Sequence, residues 1–238
     1  YYAPILGPVS SRGLIVQSRN RGTAPAILYS LLRIVAVDPD AVVAVFPSDH
    51  YVSEDQAFMT QVRSALETAC FRPRTVILLG VEADTPEVEY GWIEPARPMH
   101  KFRRIFNVRR FWEKPNKLQA QVLQLRGCLW NSFVMVASAR ALLDLIETAL
   151  PGLYRILSWL GPVAGKPEEE ALSGHLYNWI EPTNFSHEVL ARCPERLAVL
   201  KVTGVRWNDL GEPSRVLASL KSLERAPEWA DAVVPTPL

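Results

Sequence analysis

The stretch Ala41-Val42-Val43-Ala44-Val45-Phe46-Pro47-Ser48-Asp49-His50 decides the fold of this 238-residue chain. Its first six residues form an unbroken, valine-rich apolar run, which is typical of a central strand in a parallel sheet. Asp49 follows directly after that run. In open α/β sheets, ligands bind outside the carboxyl ends of the strands. The stretch therefore predicts an α/β sheet with a candidate functional carboxylate at its edge.

Strands and helices alternate on both sides of this stretch. A strand is predicted over 13–17, a helix from an N-cap at Thr23 to Val37, and another buried strand over 75–80. Residues 90–94 and 104–112 alternate like antiparallel strands. Further helices are expected over 53–69, 115–125, 139–150, 153–160, 168–180 and 213–223, and further strands over 128–136 and 196–202. The pattern predicts an α/β fold with a doubly wound, mostly parallel, Rossmann-like sheet and antiparallel additions.

Composition limits the function classes. Apolar residues make up 48% of the chain and charged residues 21%, which is typical of a globular protein. The net charge of +1 gives no reason to expect nucleic acid as a partner, and no apolar run reaches the ~18 residues of a membrane span. Three widely spaced cysteines, Cys70, Cys128 and Cys193, indicate reduced thiols in a cytoplasmic protein.

One domain is predicted over 1–223, followed by a loose tail over 224–238. The chain opens Tyr1-Tyr2 without a methionine, and the strand pattern begins almost at once. This start is typical of a piece cut from a longer chain.

A second aspartate, Asp209, lies in the stretch Arg206-Trp207-Asn208-Asp209-Leu210-Gly211. Two aspartates that meet across a fold can hold one Mg²⁺ ion through hard oxygen ligands. Taken singly, Asp49 and Asp209 are equally compatible with ordinary turn residues. His50 could orient Asp49, although a structural role is favoured for it.

Three other polar features carry candidate chemistry. The loop from Gln17 to Thr23 precedes a helix N-terminus, which is receptive to anions or base edges. Glu113 and Lys114 end a predicted strand, and Lys is suited to a phosphate. Asn131 interrupts an apolar strand and must find a partner for its amide. An ordinary βα loop, a surface ion pair and a backbone partner remain the alternative interpretations of these three features.

Together these segments resemble the sugar-phosphate nucleotidyltransferases, most closely the mannose-1-phosphate guanylyltransferases (GDP-mannose pyrophosphorylases). Six stretches carry the resemblance in the family's order, and the resemblance covers roughly residues 14 to 220. They are Asn20-Arg21-Gly22-Thr23-Ala24-Pro25-Ala26, Pro47-Ser48-Asp49-His50, Tyr90-Gly91-Trp92-Ile93-Glu94, Phe111-Trp112-Glu113-Lys114-Pro115, Leu129-Trp130-Asn131-Ser132 and Trp207-Asn208-Asp209-Leu210-Gly211.

The resemblance implies a Mg²⁺-dependent reaction in which GTP and mannose 1-phosphate give GDP-mannose and pyrophosphate. Asp49 and Asp209 would ligate the metal, and Lys114 would meet the sugar phosphate. The remaining implied contacts are to substrate. The hexose would be approached by Gly91, Glu113 and Asn131, and the base pocket would be lined by Gln17, Gly22 and Thr23. Glu94 is also expected to bind substrate.

The resemblance also implies a glycine-rich phosphate loop, which would precede residue 1. The 238-residue chain alone is therefore expected to be inactive. Position 22 is Gly where the guanylyltransferases usually carry Asn, which leaves the choice of base open.

Three alternatives remain open at this point. The same chemistry could use another nucleoside triphosphate or sugar 1-phosphate. The chain could instead be a non-catalytic regulatory subunit that binds nucleotide sugars, or a glycosyltransferase that uses an aspartate metal motif. The resemblance implies a cytoplasmic protein with small-molecule partners and no nucleic acid or membrane. The sequence leaves the oligomeric state open, a homodimer included.

Overall fold

The structure is a computed structural model, and it describes residues 13–99 and 102–223. The predicted tail over 224–238 and the first twelve residues lie outside the described part. The strands are β1 (Val42–Val45), β2 (Tyr51–Val52), β3 (Val76–Glu82), β4 (Gly91–Met99), β5 (Phe102–Glu113), β6 (Leu129–Ser138), β7 (Leu197–Val202) and β8 (Trp207–Asn208). The α helices are α1 (Thr23–Val37), α2 (Asp55–Phe71), α3 (Lys117–Leu125), α4 (Ala139–Ala149), α5 (Pro151–Leu157), α6 (Glu168–Leu176) and α7 (Pro213–Ser222).

The main sheet has six strands in the order β1-β6-β3-β7-β5-β4, with an additional pairing between β6 and β4. The predicted α/β class with antiparallel additions is confirmed. Four strands, β1, β3, β7 and β4, run in one direction, while β6 and β5 run in the other. Only β3 and β7 pair in parallel among the described strands, so the sheet is mixed and not parallel in most of its pairings. An apolar run does not encode which strand becomes its neighbour.

The position of β1 differs from the prediction for it. It pairs antiparallel with β6 at one end of the strand order, and its residues are half-buried and not central. The predicted strand over 13–17 is not a strand in the structure, and none of the described strands pairs with it. Both differences concern tertiary neighbours, which a local apolar run cannot specify.

Apolar clusters lie on both faces of the sheet. One cluster joins α1 and α4 to the face that carries Leu78, Ile93 and Met135. The other joins α2 and α3 to the face that carries Ile77 and Trp92. The result is a three-layer αβα arrangement, as expected for a sheet that buries both faces.

A second, two-stranded sheet pairs β2 with β8 in antiparallel register, with Tyr51 opposite Asn208 and Val52 opposite Trp207. Two-residue strands carry no periodic pattern, and the sequence did not predict this ladder. The predicted helix over 168–180 ends at Leu176, because the chain then turns with Asn178 N donating to His175 O at 3.2 Å. The predicted helix over 153–160 divides into α5 and a 3₁₀ segment, Ser158–Val163, which contains Pro162.

No helix in the described part of the chain is long and apolar enough to cross a membrane.

Candidate active site

Gly91, Glu113 and Asn131, which we call the strand cluster, meet where three strands end or begin. Gly91 opens β4 and pairs with Glu113 at the end of β5, while Asn131 lies near the start of β6. A Cβ atom added to Gly91 would lie 3.1 Å from Glu113 Oε2 and 3.4 Å from Asn131 Cβ. It would also lie 3.0 Å from Phe111 Cζ. The glycine therefore lets two polar side chains approach the backbone closely.

The Glu113 carboxyl is half-buried in this cluster. Burial raises its pKa from the ordinary glutamate value, and the nearby charges of Lys114 and His187 oppose that shift. His187 belongs to a π-helical turn, Ser186–Leu190, and its Nδ1 lies 2.7 Å from Glu188 Oε1. Single π turns occur frequently at functional sites. His187 is thus a group beside the strand cluster that the sequence did not single out.

Unusual backbone occurs at Lys114 and next to Asn131. Asn131 Oδ1 accepts a hydrogen bond from Phe133 N at 3.2 Å, and Phe133 has a positive φ of 58°. Lys114 has a φ of 45°, in the left-handed region that bulky residues rarely adopt. Its ammonium lies 2.8 Å from Glu89 Oε2, and this contact is the main cause of the raised pKa of Lys114. Lys114 is therefore a charged group that is already paired with Glu89.

Glu94 is not brought to the strand cluster. It lies three residues after Gly91 on β4, and side chains alternate between the two faces of a strand, so Gly91 and Glu94 point to opposite faces. The Glu94 carboxylate is nearly buried and pairs with Arg109 Nη1 at 3.4 Å.

The β2–β8 ladder brings Asp49 and Asp209, which we call the aspartate pair, to neighbouring positions. Tyr51 faces Asn208, so continuing the antiparallel register by one residue puts His50 opposite Asp209. The pKa of His50 is lowered, chiefly by burial, while the charges of Asp49 and Asp209 oppose the shift. His50 Nε2 lies 3.9 Å from Asp49 Oδ1, and its ring meets the Trp207 ring edge-on at 5.2 Å. Both carboxylates therefore lie close to one imidazole.

The two carboxylates differ in their surroundings. The Asp49 side chain is 81% exposed. The Asp209 side chain is 23% exposed, and its Oδ1 accepts from Arg215 Nη1 at 2.8 Å and from Gly211 N at 3.0 Å. The Tyr90 hydroxyl lies 3.5 Å from the same oxygen. Asp209 is therefore neutralised by a cation of the chain itself.

The chemistry of the aspartate pair fits a magnesium ion. Mg²⁺ is commonly bound through one or two carboxylates together with substrate phosphates and waters. Within residues 13–99 and 102–223, no group of three or more His, Cys, Asp and Glu side chains is arranged to hold a metal ion. An ion held by Asp49 and Asp209 would therefore take its remaining oxygen ligands from water or from a substrate.

The loop over 17–23 is tied to the chain segment at 183–185. Gly22 has a φ of +82°, and a Cβ atom there would lie 2.6 Å from Thr183 O, so the position requires glycine. Thr23 begins α1, and its hydroxyl accepts from Phe185 N at 2.9 Å. The predicted N-cap at Thr23 is therefore wrong, because its hydroxyl serves a distant segment and not the helix. Gln17 Nε2 donates to Gly22 O at 3.4 Å.

One polar atom of this loop is left without a partner. Gln17 Oε1 is buried and accepts no hydrogen bond within the described residues. An unpaired buried acceptor costs free energy unless a ligand or water satisfies it. The unpaired Gln17 Oε1 is compatible with a hydrogen bond from an N–H group of a bound base.

A cavity of about 280 Å³ lies beside the β2–β8 ladder. Tyr51, Trp130, Trp207 and Asn208 contribute to its lining, whereas neither the aspartate pair nor the strand cluster does. The cavity is a neighbour of the candidate site and not its centre.

Sequence reasoning missed Arg215, Glu87, Glu89 and His187. Arg215 lies six positions after Asp209 in the first turn of α7, where it is an unremarkable helix residue. Its other partner, Glu87, is 128 positions away in the sequence, and Arg215 Nη2 reaches Glu87 Oε2 at 3.3 Å. No local signal could have joined these residues.

Comparison with known proteins gives a consistent result. The family model for nucleotidyl transferases matches residues 10–225. A putative mannose-1-phosphate guanylyltransferase of Vibrio cholerae is 25% identical over 212 residues, which cover 83% of this chain and 42% of that protein. The alginate biosynthesis protein AlgA of Pseudomonas aeruginosa is 28% identical over 156 residues, covering 62% of this chain and 32% of AlgA. The chain thus spans less than half the length of these relatives.

Solved structures show a similar fold. A crystal structure described as mannose-1-phosphate geranyltransferase from Thermus thermophilus superposes with a TM-score of 0.78 at 23% identity, covering 95% of this chain and 61% of that one. A UDP-glucose pyrophosphorylase complexed with UDP-glucose gives a TM-score of 0.53 at 14% identity, covering 87% of this chain and 63% of that one. At these identities the similarity concerns the fold.

Proposed function

This chain belongs to the nucleotidyl transferase family, and from that premise we propose that it transfers a nucleotidyl group from a nucleoside triphosphate to a sugar 1-phosphate. GTP and mannose 1-phosphate are the proposed substrates, and GDP-mannose and pyrophosphate the products. The curated relatives named as mannose-1-phosphate guanylyltransferases support this choice. The observation that carries the proposal is the strand cluster, in which Gly91 lies against both the Glu113 carboxylate and the Asn131 side chain. Lys114 is the residue that follows Glu113 in the chain.

In the proposed reaction an oxygen of the sugar phosphate attacks the α-phosphorus of the nucleotide in line. The new O–P bond forms as the bond to the β-phosphate oxygen breaks, and pyrophosphate leaves with that electron pair. No covalent enzyme intermediate is required, so the protein contributes positioning and charge neutralisation.

Each candidate residue then has a role. The Glu113 carboxylate accepts hydrogen bonds from the hexose hydroxyls, and the Asn131 amide exchanges hydrogen bonds with them. The hexose lies close to the backbone at Gly91. The Lys114 ammonium binds the sugar phosphate, which must compete with Glu89 for it. Gln17 Oε1 accepts a hydrogen bond from the base, whereas Gly22 and Thr23 shape the loop that presents it.

Asp49 and Asp209 would hold the magnesium ion. When bound, Mg²⁺ supplies charge neutralisation for the reacting phosphates. Asp49 is open to solvent and free to ligate, whereas Asp209 is engaged by Arg215. Glu94, on the opposite face of β4, is proposed to support the strand through Arg109 and not to touch substrate.

The test follows pyrophosphate release with Mg²⁺, mannose 1-phosphate and each of GTP, ATP, UTP and dTTP. It uses the 238-residue chain and, if that chain is part of a longer protein, the longer protein as well. Release with GTP is expected to fall about 100-fold or more in Asp49→Asn and in Asp209→Asn, because each substitution removes a carboxylate that would hold the charge-neutralising magnesium ion. Asp144→Asn, an exposed residue of α4, is the matched control and keeps full activity.

The outcomes separate the alternatives. Release with another nucleotide keeps the mechanism and changes the base specificity. No pyrophosphate release by either form of the protein, with any of the nucleotides and with several hexose 1-phosphates, would contradict the proposal.

Two ion pairs favour a second candidate, a non-catalytic nucleotide-sugar-binding regulatory protein. Arg215 neutralises Asp209 and Glu89 neutralises Lys114, so two of the proposed catalytic charges already have partners. This candidate expects saturable binding of GDP-mannose, measured by calorimetry, without pyrophosphate release. Binding together with turnover would exclude it.

A further inference from the structure

The guanidinium of Arg215 is held in place by three groups besides solvent. Nη1 lies 2.8 Å from Asp209 Oδ1, Nη2 lies 3.3 Å from Glu87 Oε2, and Cζ lies 4.5 Å from the centre of the Tyr90 ring. The side chain is only 13% exposed. Hydrogen bonds between ionised partners are about twice as strong as those between neutral groups, so the cation is fixed and not merely nearby.

The backbone around Arg215 is fixed as well. Asn208 Nδ2 donates to Arg215 O at 3.3 Å, and Arg215 N donates to Glu212 O at 3.0 Å. Asn208 is the residue before Asp209 on β8. The same short segment therefore positions both the carboxylate and the cation that neutralises it.

We propose that Arg215 is an internal counter-ion with which a divalent cation must compete for the Asp209 carboxylate, and that it thereby lowers the metal affinity of the free protein. The inference rests on the proposed function in taking Asp209 as a metal-facing carboxylate. Metal binding is measured without turnover, so the inference and the proposed function can fail separately.

Arg215 is expected to lower the metal affinity through charge repulsion. A divalent cation at Asp209 would lie within a few ångströms of a guanidinium that cannot lose its proton. Like charges at that distance in a partly buried site repel strongly, because solvent screens them poorly. The cation must therefore bind against this repulsion or move Arg215 towards Glu87, which already holds its second nitrogen.

The opposite interpretation is that Arg215 only orients the carboxylate. Hydrogen-bonded partners of metal ligands commonly raise metal affinity, and their loss lowers it about 10–100-fold. This interpretation predicts weaker metal binding when Arg215 is replaced, whereas the proposal predicts tighter binding. One measurement of metal affinity therefore separates the two interpretations.

In the experiment the protein is titrated with Mn²⁺ alone, and the concentration of free Mn²⁺ is measured by electron paramagnetic resonance. Arg215→Gln removes the charge but keeps an amide donor, and it is expected to lower the Mn²⁺ dissociation constant about tenfold. Arg215→Lys keeps the charge and is expected to stay within about twofold of wild type. The matched control is Arg140→Gln, an equal charge change in the first turn of α4, which leaves the constant unchanged.

Asp209→Asn is then combined with Arg215→Gln, and the double variant is expected to lose the gain in affinity. Equal or weaker binding by Arg215→Gln, a gain that survives in the double variant, or an equal gain in Arg215→Lys would each overturn the proposal. Arg215→Met serves if the glutamine variant does not fold, because its apolar stem can still pack on Tyr90. The same gain is expected from it.

Discussion

The strand cluster and the aspartate pair are built from different kinds of structure. Gly91, Glu113 and Asn131 sit on long paired strands of the main sheet. Asp49 and Asp209 flank a two-residue ladder, and the 17–23 loop has no strand partner in the described part of the chain. Paired strands fix side chains through backbone geometry alone. Side chains on loops and short ladders depend on tertiary partners such as Arg215 and Thr183, which their own motifs do not contain.

The 17–23 loop offers the largest effect with which to test this comparison. Gly22→Ala places a Cβ atom 2.6 Å from Thr183 O at a φ of +82°. We expect a loss of about 3 kcal/mol or more in the free energy of unfolding, from about 1–3 kcal/mol for a backbone with ψ −170° at this positive φ and about 1–3 kcal/mol for the clash. Gly204→Ala, at a φ of +75° with nothing within 4 Å, carries only the backbone cost and is the matched control. Urea denaturation measures both, and equal losses would show that contact with Thr183 does not matter.

The strand cluster is tested by a single methyl group. Gly91→Ala puts that methyl within 3.1 Å of Glu113 Oε2, so we expect kcat/KM for the sugar 1-phosphate to fall about 10–100-fold, since small misplacements in a positioned site are costly. Gly174→Ala, a helical glycine of α6 with nothing within 4 Å, is the control and leaves kcat/KM unchanged. Steady-state kinetics at varied sugar 1-phosphate concentrations measures kcat/KM for both variants. An unchanged constant for Gly91→Ala would remove the strand cluster from the site.

Asparagine substitutions at the two aspartates are expected to change the free energy of unfolding by different amounts, although both residues are proposed to matter for activity. Asp209→Asn removes the charge-assisted bond to Arg215 and should cost about 1 kcal/mol of unfolding free energy. Asp49→Asn should change it by less than about 0.5 kcal/mol, because Asp49 is 81% exposed. Thermal or urea unfolding of the two variants side by side measures the difference. Equal values would mean that Arg215 does not hold Asp209 in solution.

The smallest effect is the pH dependence that comes from Glu113. Burial raises the pKa of Glu113, so its contribution to stability is present below its unfolded-state pKa and is lost as pH rises through the folded-state pKa. Glu113→Gln cannot ionise, so its stability relative to wild type should improve as pH rises through that window. Unfolding is measured at several pH values from acid to neutral, with exposed Glu147→Gln as control. A relative stability that stays flat or falls with rising pH would contradict the shift.

Sequence patterns predicted the elements better than their partners. Long periodic segments such as α2, α4 and β3 lie within a few residues of their predicted ranges. The six motif stretches pointed to the nucleotidyl transferase family, and that membership is confirmed. The two-residue β2–β8 ladder, the π turn at Ser186–Leu190 and the edge position of β1 were not predictable, because none of them has a local pattern.

The roles given to the aspartate pair, Lys114, the strand cluster and the loop residues Gln17, Gly22 and Thr23 stay predictions. What the structure adds is their arrangement. Gly91 was expected to allow a close approach, and Glu113 and Asn131 are the side chains that approach it. Glu94 was grouped with them by sequence, but strand alternation points it to the other face.

By itself, the sequence determined the helices, the main strands and the family, because apolar periodicity and motif order are properties of neighbouring residues. Only the tertiary structure decided strand direction, the placement of Asp49 and Asp209 at the same end of the β2–β8 ladder, and the pairing of Arg215 with both Asp209 and Glu87. Those features join residues far apart in the chain. A charge finds such a partner only when the fold brings the two together, and the fold is decided by packing that no single segment contains.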